Sequence, residues 1–227
     1  MLANIVMVLG SYLLGALPVL LFIGRVRGFD LSEEEDLHMA LWRKVGRLEG
    51  VLGILWDLGK GAICVLIVRA LGFGLPAVAT AGVAVVAGQM WPVFSRFDGE
   101  KGNSTGLAMA LALAPIPLLI ALIPILVGVI IRTAPRFFRS GQSVDERLKF
   151  GGPPSLSLPL GMAIGFVVLP LASWWLSEPI AVTIAFAALF ILIMIRRLTA
   201  DLRKDLKGAP NRKSILINRL LYDRSYL

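Results

Sequence analysis

The chain has 227 residues, 57% of them hydrophobic, with a mean hydropathy of +0.79 and a net charge of +8. That is too apolar for an ordinary soluble domain, and long uncharged runs at 3–24, 76–95 and 103–131 are the length of membrane spans. One cysteine, Cys64, and one histidine, His38, argue against a disulfide framework, a cysteine cluster or a histidine metal centre, so no metal and no cofactor is expected.

Taken in chain order, the first apolar segment, 3–24, lacks a basic leader region and an A-x-A site and reads as a retained span. Residues 25–47 form a basic, amphipathic cytoplasmic segment. Within SEEEDLHMALWRKVGRLE (32–49), Ser32 suits a helix cap, Glu33 to Asp36 suit the helix start, and Arg43, Lys44 and Arg47 suit its end. His38 is expected to be an exposed side chain there rather than a general base. The second apolar segment, 50–69, carries Asp57 and Lys60 three residues apart on one helical face. Intramembrane charges face the bundle interior and serve either a site or an internal ion pair.

The third segment, 76–95, leads into GQMWPVFSRFDGEKGNST (88–105), the most informative stretch of the chain. Glycines let backbone N–H groups approach an anion, the start of a helix adds partial positive charge, and Lys101 adds a full one. A phosphate-bearing molecule at a membrane surface fits that pattern. The run 103–131 is broken by Pro115 and Pro117, so it reads as a helical hairpin of 103–114 and 116–131. Residues 132–154 form a polar cytoplasmic loop, and Ser155 and Ser157 follow it as helix caps or hydroxyl donors to a phosphate or carbonyl. Segments at 157–176 and 180–195 complete the set, with Trp174 and Trp175 as an interfacial belt, and 196–227 is a basic cytoplasmic tail.

The fold expected is therefore all-α: a single polytopic membrane bundle of about seven segments. The hairpin puts every major basic cluster on one side, with the N-terminus outside and the C-terminus cytoplasmic. The positive charge then answers anionic lipid headgroups and not nucleic acid.

The chain resembles the bacterial acyl-phosphate:glycerol-3-phosphate acyltransferases, the PlsY family. Tyr12-Leu13-Leu14-Gly15-Ala16-Leu17-Pro18 resembles that family's opening motif. Arg43, Gly46, Asp57, Lys60 and Gly61 meet its R-x-x-G and D-x-x-K-G patterns. Gly88, Trp91, Pro92, Val93, Phe94, Phe97, Gly99, Lys101, Gly102 and Thr105 meet its long central signature. Ser155-Leu156 meets the pair before the sixth segment, and Arg197, Leu206 and Gly208 echo the tail. The chain departs from the family at Gln89 (His in the family), Glu100 (Gly), Leu198 (His) and Asp201 (Asn).

The resemblance implies transfer of an acyl group from acyl phosphate to glycerol 3-phosphate in the plasma membrane of a bacterium. Arg43, Lys101 and Ser155 would be the catalytic set, and Gly99, Lys101, Gly102, Thr105 and Lys60 would bind phosphate. Glu100 would partly cancel the charge of Lys101. The alternative is a non-catalytic relative that binds lipid or an anionic metabolite at the membrane.

Overall fold

The computed structural model describes residues 1–32, 34, 37–138, 141, 156–200, 202–206 and 211–223. Among them every regular element is helical. The helices are α1 (Leu2–Ala16), α2 (Val19–Val26), α3 (Leu37–Ala40), α4 (Arg47–Ala70), α5 (Leu75–Met90), α6 (Asn103–Leu113), α7 (Pro115–Phe137), α8 (Ser157–Trp175), α9 (Ile180–Thr199), α10 (Leu202–Leu206) and α11 (Arg212–Tyr222). A π-helical turn, Leu41–Val45, continues α3, and a 3-10 turn, Val93–Ser95, follows α5.

Among the described residues six stretches are long and apolar enough to cross a membrane, α1 and α2 together forming the first and Asn103–Leu113 being a shorter apolar helix. Pro18 separates α1 from α2. The run 103–131 is two helices, as expected from its prolines: Ala114 is extended between α6 and α7. α7 continues to Phe137, further than the proline and charge pattern indicated, with Pro124 and Pro135 inside it.

α5 is the most enclosed span, with Val78, Ala81, Val85, Val86 and Met90 buried. Large apolar side chains such as Ile67, Ile123, Leu171 and Ile184 stay exposed on the outer faces, as lipid contact requires. Small residues set the helix pairs. A Cβ on Gly15 would lie 1.9 Å from the Val85 carbonyl, one on Gly61 2.2 Å from that of Thr105, and one on Gly161 2.5 Å from that of Pro124. The pairs α1–α5, α4–α6 and α7–α8 thus pack backbone against backbone.

Side-chain bonds gather the ends of these helices on one side. Arg196 of α9 bonds Asp98 in the α5–α6 connection, and Arg197 bonds the Pro159 carbonyl at the start of α8. Ser157, opening α8, donates to the Gly128 carbonyl of α7. So α6 begins and α7 ends on the same side of the bundle, the arrangement that the charge pattern required. The basic tail expected from Arg196 onward is partly inside the bundle: Arg196 and Arg197 belong to α9 and are buried.

Candidate functional site

The segment 91–102 positions the site. Phe97 donates its N–H to the Pro92 carbonyl at 2.9 Å and Asp98 donates its to that of Ser95 at 3.0 Å. Arg96 and Phe97 lie in the left-handed region, φ 53° and 63°. Strained non-glycine backbone of this kind persists only where its surroundings hold it. Those surroundings are visible one residue at a time. Asp98 pairs with Arg196 at 2.6 Å, and the Gly99 carbonyl also accepts from Arg196. A Cβ on Gly99 would lie 2.2 Å from the Gln89 carbonyl, so the loop passes too close to α5 for a side chain there. Glu100 accepts from Gln89 Nε2 at 2.8 Å. Lys101 pairs with Asp223 at 2.6 Å. Gly102 is left-handed, φ 72°, and buried against Met90, a place a side chain would fill.

α6 starts directly after Gly102 and has no side-chain cap. Its first N–H groups therefore lack the usual partner, and the helix end carries partial positive charge beside Lys101. The Thr105 hydroxyl, expected at a phosphate, instead donates to the Asp57 carbonyl at 2.7 Å and is fully buried. Its side chain ties α6 to α4, which leaves its backbone as the part that can face an anion.

Beneath the loop lies a buried polar cluster. Asp57 sits ten residues into α4, about 15 Å along its axis. Its Oδ1 is 2.7 Å from Lys60 Nζ, the pairing expected from their spacing, and Lys60 is almost fully buried. Its Oδ2 accepts from Gln89 Nε2 at 2.9 Å and lies 2.9 Å from His38 Nε2. His38 is thus inserted into the bundle, where a solvent-facing side chain was expected. The oxygen and nitrogen atoms of His38, Asp57 and Glu100 lie within 4.8 Å of one another, a spacing that suits a metal ion. Lys60 already supplies positive charge to Asp57, so the set is internally compensated.

Glu100 also departs from expectation. Its carboxylate turns away from Lys101 into this cluster. Burial, and next the neighbouring Asp57 carboxylate, push it up from the ordinary 4.5 to about 8. At neutral pH it is largely protonated and subtracts little from the charge of Lys101.

The other expected residues divide. Arg43 is exposed on the π-helical turn and makes no hydrogen bond or ion pair among the described residues. Ser155 lies outside the described residues, as does Asp201. Lys60 reaches the loop only through Asp57. Sequence reasoning missed Arg219 of the C-terminal helix and Asp223 just after it. Arg219 is buried and bonds Asp205 and the carbonyls of Arg197 and Ala200. The signals were there: Asn211 as a cap, and Ile215 and Arg219 four apart on one face.

Fold and loop together define a class: a helical integral membrane protein with a cationic glycine-flanked loop where a short helix begins. A family model described as glycerol-3-phosphate acyltransferase matches residues 5–208, and the chain belongs to that family. Glycerol-3-phosphate acyltransferase 4 of Dehalococcoides mccartyi (strain CBDB1) is 31% identical over 97% of this chain and 88% of its own. The glycerol-3-phosphate acyltransferase of Trichlorobacter lovleyi is 38% identical over 54% of this chain and 64% of its own. The fold is similar to the crystal structure of PlsY, an integral membrane glycerol 3-phosphate acyltransferase, in its glycerol 3-phosphate form. TM-score is 0.66 at 24% identity, over 91% of this chain and 93% of that one.

Proposed function

We propose that this chain transfers an acyl group from acyl phosphate to glycerol 3-phosphate, the first substrate being the acyl donor, at the cytoplasmic face of a bacterial plasma membrane. The single observation that carries the reading is the junction at Lys101 and Gly102. A left-handed glycine delivers an uncapped helix N-terminus beside a half-exposed lysine, an arrangement whose chemistry suits a phosphate and supports this reading. Family membership supplies the acceptor and the reaction class.

Roles follow from chemistry. Lys101, Gly102 and the first N–H groups of α6 hold a phosphate, with the Thr105 backbone among them. Gly99 lets the loop lie against α5, and Lys60 holds Asp57 beneath it. Arg43, on an exposed turn, is free to swing onto the second phosphate with a two-pronged contact. Ser155 donates a hydrogen bond to the donor. Attack by the glycerol 3-phosphate hydroxyl on the acyl carbonyl forms an ester and releases inorganic phosphate, and the leaving phosphate takes up the proton. A mixed substrate pair of this kind also needs an apolar surface, which the lipid-facing spans provide.

The test is turnover of acyl phosphate and glycerol 3-phosphate by the purified protein. Lys101→Ala should lower kcat/KM at least about a hundredfold, since a charge-assisted contact to phosphate is worth a few kcal/mol. No turnover by the unaltered protein would leave the non-catalytic, anion-binding reading in its place.

A further inference from the structure

Lys101 is paired with a carboxylate that comes from beyond the segment matching the family model. Asp223 follows α11, and that helix lies wholly outside residues 5–208. Asp223 Oδ2 is 2.6 Å from Lys101 Nζ, and its side chain is 13% exposed against 46% for Lys101. This is not the pattern of two long side chains meeting by chance in solvent, where both partners are open.

The backbone that bears this carboxylate is also held from behind. Asp223 donates its N–H to the Arg219 carbonyl at 3.0 Å. Arg219 is buried and clasped by Asp205 and by the carbonyls of Arg197 and Ala200. Arg197, itself almost fully buried, donates to the Leu220 carbonyl at 3.1 Å. The helix starts on a fixed cap, Asn211 accepting from the Ser214 N–H at 3.2 Å. Asp223 therefore sits where the fold puts it, and its place does not depend on Lys101. A plug that a substrate displaces would need a looser attachment.

We propose that Asp223 is a specificity residue of the acceptor site: it receives a hydroxyl of the same molecule whose phosphate Lys101 holds. This rests on the assignment of phosphate to Lys101 made above and takes that phosphate to be the acceptor's. The chemistry selects one kind of ligand. An ionised carboxylate is an acceptor only, so it repels phosphate and takes an O–H. The ammonium group has three donors, and one of them goes to Asp223. The others remain for an anion on the open side. A phosphate ester with a free hydroxyl a few atoms from phosphorus bridges the pair, and one lacking that hydroxyl leaves the carboxylate without its second donor.

Calorimetric titration of the full-length protein in detergent tests this with two probes, glycerol 3-phosphate and propyl phosphate. They share the anion and differ in hydroxyls. The unaltered protein should prefer glycerol 3-phosphate by at least about tenfold, the worth of a hydrogen bond to a charged group. Asp223→Ala should bring the two within about twofold of each other, with propyl phosphate bound more tightly than by the unaltered protein because the carboxylate that repels phosphate beside Lys101 is gone. Asp223→Asn, which keeps shape and one acceptor oxygen, should leave less than about a threefold preference and covers the case in which the alanine variant does not fold. An unchanged preference in both variants overturns the proposal, since Asp223 would then be a surface ion pair. Tighter binding of both phosphates in Asp223→Ala with the preference for glycerol 3-phosphate kept also overturns it, since Asp223 would then act on the anion alone. Failure of the phosphate assignment shows separately, as propyl phosphate binding that Lys101→Ala does not weaken.

Discussion

His38 Nε2 lies 2.9 Å from Asp57 Oδ2, which joins the short helix before α4 to the interior of α4 itself. The other Asp57 oxygen is held by Lys60 at 2.7 Å, so a single carboxylate fixes an element at the bundle's edge and a cation inside it. The two partners should not be equally costly to lose. Asp57→Asn leaves a buried lysine without its counter-charge, a loss of about 3–5 kcal/mol. His38→Gln leaves the Asp57–Lys60 pair intact and should cost about 1–2 kcal/mol. Thermal unfolding in detergent ranks them. A His38→Gln variant as unstable as Asp57→Asn would mean that the histidine, and not the lysine, is the main partner.

Glu100 gives this protein a stability that depends on pH. Its folded-state pKa is raised from 4.5 to about 8 by burial and by Asp57, so between those values the folded chain holds a proton that the unfolded chain has lost. Stability from this group is complete below about 4.5 and falls as pH rises through about 8. His38, Asp57, Lys60 and Gln89 face it in the same cluster. The measurement is therefore a difference. Melting temperature should drop between pH 6 and pH 9 in the unaltered protein, and Glu100→Gln, which mimics the protonated acid, should flatten that drop. The same geometry sets the effect of Glu100→Gly on binding. Removing a mostly neutral group that points away from Lys101 should change phosphate affinity by less than about twofold, while lowering stability.

Much of the fold was legible in the sequence, because lipid contact demands long apolar runs and Pro115 and Pro117 fit the first turn of a new helix after the break at Ala114. The Asp57–Lys60 pair followed from three-residue spacing. What failed to show has a common cause: side chains whose direction is set by distant backbone. The acidic run beside His38 looks like a solvated helix start, and nothing local says that the histidine turns inward to meet Asp57. Glu100 is adjacent to Lys101 in sequence, yet the close passage of Gly99 against α5 and the left-handed Gly102 send their side chains apart. The C-terminal helix reads as a basic tail if charge is weighed and as an amphipathic helix if Ile215 and Arg219 are placed on one face.

Backbone contact between α4 and α6 holds the loop over the cluster, and Gly61 is where it is closest. A Cβ there would fall 2.2 Å from the Thr105 carbonyl, and the neighbour is backbone that cannot step aside. Gly61→Val should force the helices apart, break the Thr105–Asp57 bond and cost about 1–3 kcal/mol or more. Gly59→Val is the control, since a Cβ at Gly59 meets nothing nearer than 3.5 Å. Comparable yield and melting temperature for the two variants would show that this helix pair tolerates separation.

The arrangement of α6 and α7 decides which end of the bundle each loop occupies. Eleven residues of α6 span about 16 Å, too short for the hydrocarbon core, while the 23 residues of α7 span about 34 Å and cross it. With the break at Ala114 between them, the chain enters through α6 and returns through α7. The ion pairs of the 98–101 stretch with Arg196 and Asp223 place it with the end of α9 and with α11. Cysteines introduced at Arg96 and at the exposed Phe138 should then react with an impermeant maleimide from the same side, and one at Ser177 from the other. Native Cys64 is buried and contributes little background. In a cell the first two should be shielded until the membrane is opened, because the surrounding basic residues favour the cytoplasmic side. Labelling of positions 96 and 138 from opposite sides would mean that α6 and α7 together make one crossing, and would separate the Lys101 loop from the residues that follow α7.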